Sequence, residues 1–285
     1  MRYDYYFCQR RRDDLISFLN ENGVKYEIKY EGYPAHDGKP LPGYVIFTIK
    51  GYSPIIERLI HDYRCHPEIS IFYSQSEIDH AKLLEMTPRQ QIVEIENPEN
   101  AMKFSCTWID SRGVERAQHA EQVGTIEIRK EPRNSKTAFW SSLGFAEVFA
   151  DRRVYDIAQA KDFIGLGFDR VMRRNHQYSE SIFQFRPEVR LSNDCIAFEH
   201  MTLSKGCAEV SCPYCGKKQY GFREAFQLQL FSKNVKHASD AYITERVFGD
   251  GIAIPLYVIS QRLYQELKKN RLTAHVTFAP VILID

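Results

Sequence analysis

Four of the seven cysteines in this chain, Cys195, Cys207, Cys212 and Cys215, crowd into one short stretch. The last two form a Cys212-Pro213-Tyr214-Cys215-Gly216 knuckle. Two thiolates separated by two residues can face one tetrahedral Zn²⁺, and Gly216 permits the positive-φ turn that brings backbone amides toward the sulfurs. That is half a metal site. The sequence carries no second pair of this kind, so the remaining ligands must come from Cys207, Cys195 or His200, or from farther away. The expected set is Cys195, Cys207, Cys212 and Cys215 around a structural Zn²⁺. The competing reading leaves the knuckle as a reduced turn, with Cys195 and Cys207 buried as small apolar residues. A thioredoxin-like redox pair would sit between a strand and a long helix. Here Lys217-Lys218-Gln219 follow instead, which read as the polar tip of a hairpin.

Other reactive residues make a thin case for catalysis, and the chain is expected not to be an enzyme. Gly-x-Ser-x-Gly, a phosphate-cradling glycine loop and His-Glu-x-x-His are all missing from the sequence. Zinc deaminase chemistry needs His-x-Glu upstream of Pro-Cys-x-x-Cys. The proline here lies inside the pair and the nearest histidine-containing segment is Glu199-His200, so order and spacing are wrong. Arg64-Cys65-His66 reads as a helix end, where a cationic His66 favours the negative pole. Glu57, His61 and Asp62 share a helical face and read as solvated charge. Arg173, Arg174 and His176 form a basic cluster suited to a partner's acidic surface.

Bulk properties narrow the class. The 285 residues balance 38 Lys and Arg against 37 Asp and Glu, a formal net charge of +1. Such balance disfavours a nucleic-acid footprint or an anionic membrane partner. No apolar run approaches membrane-spanning length, and Met1-Arg2-Tyr3-Asp4 does not open a signal segment. An odd, clustered set of cysteines fits a reducing compartment, so a cytoplasmic location is expected.

The elements predict an α+β chain of two domains, 1–96 and 97–285. In the first, strands are expected over Tyr3–Cys8, Val24–Glu31, Tyr44–Lys50 and Ile69–Tyr73. Helices are expected over Asp13–Asn22, closed by Gly23, and after the Ser53-Pro54 cap. The order β-α-β-β-α-β is that of a ferredoxin-like unit. The Pro34–Gly43 loop offers Tyr33, His36 and Asp37 as partner contacts. Asn97-Pro98-Glu99-Asn100 is the linker. In the second domain, Met102–Trp108 and Thr125–Arg129 are expected strands, with hairpin turn chemistry at Asp110-Ser111-Arg112-Gly113 between them. Two stretches repeat a strand, cap, helix and strand. One runs from Ala146 through the Asp151 cap to Met172, the other from Ile254 through the Ser260 cap to Val281. Stacking both copies on a shared sheet would bury both faces. A zinc-knuckle hairpin completes this mixed α/β domain.

Three stretches of the second half carry a family resemblance. Trp140–Phe168 leads through Asp151 to Ile164-Gly165-Leu166-Gly167. Pro187–Phe222 holds Asp194-Cys195, the Cys212–Gly216 knuckle and Tyr220-Gly221-Phe222. Tyr242–Val281 holds Ser260-Gln261-Arg262 and Val276-Thr277-Phe278. In this order they resemble the double-CXXCG proteins and related immunity families of bacterial polymorphic-toxin systems. The family's first Cys-x-x-Cys-Gly is missing here, where Cys8, Cys65 and Cys106 stand alone. The N-terminal unit lies outside the resemblance. What it implies is a non-catalytic cytoplasmic immunity protein, or antitoxin, that binds and neutralises a cognate toxin effector domain. The alternative is a zinc-knuckle nucleic-acid-binding protein, with Tyr5, Phe7, Phe47, Phe72 and Tyr73 as a stacking platform.

Overall fold

The computed structural model describes residues 1–29, 43–65, 67–89, 91–109, 115–132, 136–142, 144–198, 207–222, 227–235, 238–248 and 252–285. The fold is mixed α/β, with six α-helices among the described residues. None of these helices is long and apolar enough to cross a membrane. The chain divides into two compact units. One runs from Met1 to Ser74, the other comprises Gln75–Phe222 and Gln227–Asp285. The boundary therefore falls after Ser74, earlier than the 96/97 break expected from the Asn97-Pro98 linker. The segment after Ser74 supplies a central strand to the second unit's sheet, which the sequence pattern did not reveal.

The first unit follows the predicted element order: β1 (Arg2–Arg10), α1 (Asp13–Glu21), β2 (Tyr26–Lys29), β3 (Tyr44–Lys50), α2 (Pro54–His61) and β4 (Glu68–Phe72). Its sheet runs β2-β3-β1-β4 with every neighbouring pair antiparallel. Alternation puts Phe7, Val45 and Phe47 on the buried face, and Phe7 stacks on its register partner Phe47 at 4.7 Å. Helical spacing turns Leu15, Phe18 and Leu19 of α1 and Ile56 and Leu59 of α2 onto that face. Gly23 closes α1 at φ 65°, and Ser53 Oγ accepts from Ile55 N at 3.4 Å to cap α2. The Arg10-Arg11-Arg12 run precedes α1, and the Arg12 guanidinium donates to the Tyr63 carbonyl at 2.7 Å. Tyr33, His36 and Asp37 lie outside the described residues.

The second unit opens with α3 (Gln75–His80), β5 (Leu83–Pro88), β6 (Gln91–Val93) and α4 (Pro98–Ala101). A long antiparallel pair follows, β7 (Met102–Ile109) and β8 (Glu115–Gln122), then β9 (Glu127–Ile128), β10 (Phe139–Ser142), β11 (Val148–Asp151), α5 (Arg152–Ala160) and β12 (Phe168–Arg173). The chain continues with β13 (Tyr178–Phe185), β14 (Val189–Leu191), a second antiparallel pair β15 (Cys207–Ser211) and β16 (Lys218–Phe222), and β17 (Gln229–Phe231). It ends with β18 (Ala241–Thr244), β19 (Tyr257–Ser260), α6 (Gln261–Lys269), β20 (Val276–Pro280) and β21 (Ile282–Ile284). Both expected caps form: Asp151 Oδ1 accepts from Val154 N at 3.2 Å, and Ser260 Oγ from Leu263 N at 3.1 Å.

The two strand-helix-strand stretches lie in separate sheets rather than one shared sheet. One sheet runs β6-β10-β11-β13-β12-β9, the other β14-β18-β19-β5-β20. In both, the first pair is parallel and the next three are antiparallel. Registers also agree. Phe139–Ala150, Trp140–Phe149 and Ser141–Val148 across β10/β11 match Ala241–Ile259, Tyr242–Val258 and Ile243–Tyr257 across β18/β19. The isolated bridge Ile95–Ile128 has its counterpart in Ile196–Leu230. In these sheets β13 sits between β11 and β12, and β5 between β19 and β20. One core draws on both sheets and both helices, including Leu84, Met86, Phe139, Phe185, Ile259 and Leu263.

Glu85 and Gln184 lie on strands that are paired on both sides. Glu85 pairs with Val258 and Ala279, and Gln184 with Phe149 and Asp169. Burial pushes the Glu85 carboxyl up to about 7, and the Thr87 hydroxyl pulls it back only in part. An unfolded glutamate ionises near about 4.3, so folding takes up a proton between these values and stability falls as pH rises through that window. Glu85→Gln should therefore stabilise the protein by about 1–2 kcal/mol at pH 8 and leave it nearly unchanged at pH 4. Urea melts at both pH values check this, and an equal effect at the two would contradict it.

Candidate metal centre

Two hairpin arms bring four metal-ligating side chains together. The first arm is β7/β8, whose register places Ser105 opposite His119. In a regular ladder, opposed residues share a face and the next residue points to the other one. Cys106 would then face away from His119. Its backbone instead takes φ 58°, in the left-handed region that a residue with a Cβ seldom adopts. This local kink re-aims the thiol toward the His119 imidazole, at a cost of about 1–3 kcal/mol. Phe104 rests against Phe145 at 5.9 Å, and Met102 and Ala120 are buried, which fixes the base of the arm.

The second arm is β15/β16 with the knuckle at its tip. Cys212 N donates to the Lys217 carbonyl and Gly216 N to the Cys212 carbonyl, both at 2.9 Å, with Gly216 at φ 70°. This turn is the one the sequence predicts, and a side chain at residue 216 would be strained there. Lys218 and Gln219 belong to β16 rather than to the hairpin tip, and Gln219 is buried. Tyr220 stacks on Phe198 at 3.6 Å, and its N–H donates to the Val247 carbonyl at 2.7 Å, anchoring the arm.

The ligand atoms of Cys106, His119, Cys212 and Cys215 all lie within 4.8 Å of one another. Cys215 Sγ is 3.4 Å from His119 Nε2. Around a tetrahedral Zn²⁺, sulfur and nitrogen donors at about 2.3 and 2.0 Å stand roughly 3.6 Å apart, so the spacing fits a Cys₃His centre. Cys212 is 2 % exposed, Cys106 and His119 are half-buried, and Cys215 is exposed.

The thiols are electrostatically divided. Burial raises the Cys212 thiol, but the Tyr214 and Cys215 amides, the His119 ring and the Cys215 thiol outweigh it and bring the value down to about 6. Burial pushes Cys106 up to about 11, reinforced by the neighbouring Cys215 and Cys212 sulfurs. The Cys212 thiolate therefore forms readily while the Cys106 thiol resists ionising beside it. A divalent cation removes that conflict, because metal ligation requires and stabilises the deprotonated thiols.

The structure thus joins Cys212 and Cys215 of the expected set to two residues that the sequence reading did not assign. Cys195 is elsewhere: its Sγ sits 3.4 Å from the Asn234 carbonyl and 3.6 Å from Ser192 Oγ, buried beside a single 3₁₀ turn. Cys207 begins β15, opposite Phe222, but its side chain lies outside the described residues, as does His200. A signal for the missed pair existed in the sequence. A lone cysteine and a lone histidine stand on either side of the Asp110-Ser111-Arg112-Gly113 sequence, as the strands of one hairpin would place them.

Comparison with known protein families, curated protein sequences and solved structures gives no significant match.

The geometry separates two classes of cysteine. Cys106→Ser and Cys212→Ser should each lower bound zinc well below one per chain and reduce the melting temperature, whereas Cys195→Ser should keep a full equivalent. Elemental analysis of purified variants, paired with thermal melts, reads both quantities. Retention of zinc by Cys106→Ser together with its loss from Cys195→Ser would reverse the assignment.

Proposed function

We propose that the chain is a non-catalytic, cytoplasmic binding protein: an immunity protein that captures and neutralises a toxin domain, with a structural Zn²⁺ stapling its two arms. The observation carrying the structural part is the closed donor set. Four protein ligands converge from two hairpins, and four ligands complete a tetrahedral structural site, whereas a catalytic zinc keeps a position open for water or substrate. The toxin-binding part rests on the three stretches that resemble polymorphic-toxin immunity proteins. A reducing cytoplasm suits a centre built on three unpaired thiols.

Two finer readings of the fold accompany this one. We infer that the first unit is a ferredoxin-like split βαβ, supported by its antiparallel β2-β3-β1-β4 order. We also infer that the second unit is an internal duplication in which the copies exchange their first strands. The matching strand orders, registers, bridges and caps support it. On this reading the β7/β8 and β15/β16 arms are equivalent insertions, and each copy supplies two of the four ligands. The metal then joins copy to copy.

The test is neutralisation. The C-terminal domain encoded immediately upstream of this chain should kill cells when expressed alone and spare them when this chain is co-expressed, with the two proteins co-purifying. Toxicity that this chain leaves untouched would contradict the immunity reading. Salt-sensitive oligonucleotide binding in its place would support the nucleic-acid alternative.

A further inference from the structure

A cleft of about 580 Å³ opens beside the metal centre. His119 of the first arm and Lys217 of the second both line it. Its floor is a closed polar network. The Glu147 carboxylate pairs with Arg246, accepts from Gln184 Nε2 at 2.9 Å and from the Tyr257 hydroxyl at 3.4 Å, while Arg246 also donates to the Phe145 carbonyl at 3.2 Å. These groups satisfy one another and give the cleft a fixed, neutral base.

The polar groups on its walls are not all satisfied. The lining includes Arg186, Arg190, Lys217, Lys218 and Arg246, against Glu121, Glu147 and Glu245. Arg246 is committed to Glu147, and Arg186 bonds Asp169 at 2.7 Å. Arg190 and Lys217 have no ion-pair partner among the described residues. Among the described residues Asn193 Oδ1 is buried with no hydrogen-bond donor, an arrangement that is costly unless a ligand or water supplies one. Two available cations and one orphaned acceptor define the complementary ligand. It carries anionic groups and a hydrogen-bond donor.

We propose that this cleft takes an acidic peptide segment of the protein's partner, its carboxylates pairing with Arg190 and Lys217 and a backbone N–H donating to Asn193 Oδ1. A free phosphate offers the two cations one compact charge and Asn193 only its P–OH, whereas a peptide carries separate carboxylates and backbone N–H groups. The inference rests on the binding-protein reading and supplies the chemistry of the captured surface, because charged complementarity of this kind sets register and encounter rate.

The test is isothermal titration of the zinc-loaded protein with a blocked pentapeptide of alternating Glu and Asp, its Gln/Asn counterpart, and inorganic phosphate. The acidic peptide should bind, and the neutral one and phosphate should bind at least tenfold more weakly. Arg190→Ala combined with Lys217→Ala should weaken the acidic peptide at least tenfold, and Asn193→Leu about threefold or more. The charge-matched control Lys161→Ala with Lys269→Ala should bind as the parent does. Zinc content measured on each sample separates the readings: no binding at one zinc per chain overturns the cleft alone, whereas zinc-free parent protein overturns the metal centre. An equal loss in the control variant would reduce the effect to non-specific charge and overturn the cleft. Cell rescue without peptide binding would likewise leave the immunity reading standing and remove this one.

Discussion

Three thiols and one imidazole within 4.8 Å form the interaction on which the two arms of the second unit depend. Without a cation they oppose one another. The knuckle amides draw Cys212 toward its thiolate, while Cys106 is held protonated by burial and by its sulfur neighbours. With a divalent cation the same crowding becomes coordination. The arms bearing these ligands are two-stranded, and isolated two-stranded hairpins are marginally stable in water. Ligation therefore adds the cross-link that paired strands alone do not provide. It would also offset the strain of the left-handed backbone at Cys106.

The rest of the second unit positions those arms. Each arm follows a short strand that joins a sheet edge, β6 for the first and β14 for the second, and each is followed by a strand that bridges back, β9 or β17. Leu84 and Met86 of β5 and Phe185 of β13 pack in one core shared by the two sheets, so displacing either sheet would disturb both. Beneath the arms, Glu147 precedes β11 and Arg246 follows β18, and their buried pair links corresponding turns of the two sheets. A bound metal would join the two arms, and the ion pair joins the two turns. In the duplication reading this placement is expected, because groups near a pseudo-twofold axis meet their own counterparts.

The local features of the chain were legible and the distant pairings were not. Ser53-Pro54, Asp151 and Ser260 cap helices where the sequence places them, because capping depends on a few neighbouring residues. The first unit's element order was readable for the same reason, since its alternation and helical spacing are clear. β5 was not recognised as a central strand of a distant sheet, for nothing in Leu83–Pro88 names its partners β19 and β20. The metal centre divides along the same line. Cys212 and Cys215 are spaced by the knuckle itself, whereas Cys106 and His119 arrive through a hairpin far upstream. Cys195 is nearer in sequence, yet the 3₁₀ turn that it ends buries it against the Asn234 carbonyl. Proximity along the chain substituted poorly for proximity in space.

The most direct test of the account is zinc K-edge X-ray absorption on the purified, metal-loaded protein. The account predicts three sulfurs at about 2.3 Å and one histidine nitrogen at about 2.0 Å, with the outer-shell scattering of an imidazole ring. Four sulfurs without imidazole scattering would instead place a fourth cysteine in the shell and contradict the joining of the two arms through His119.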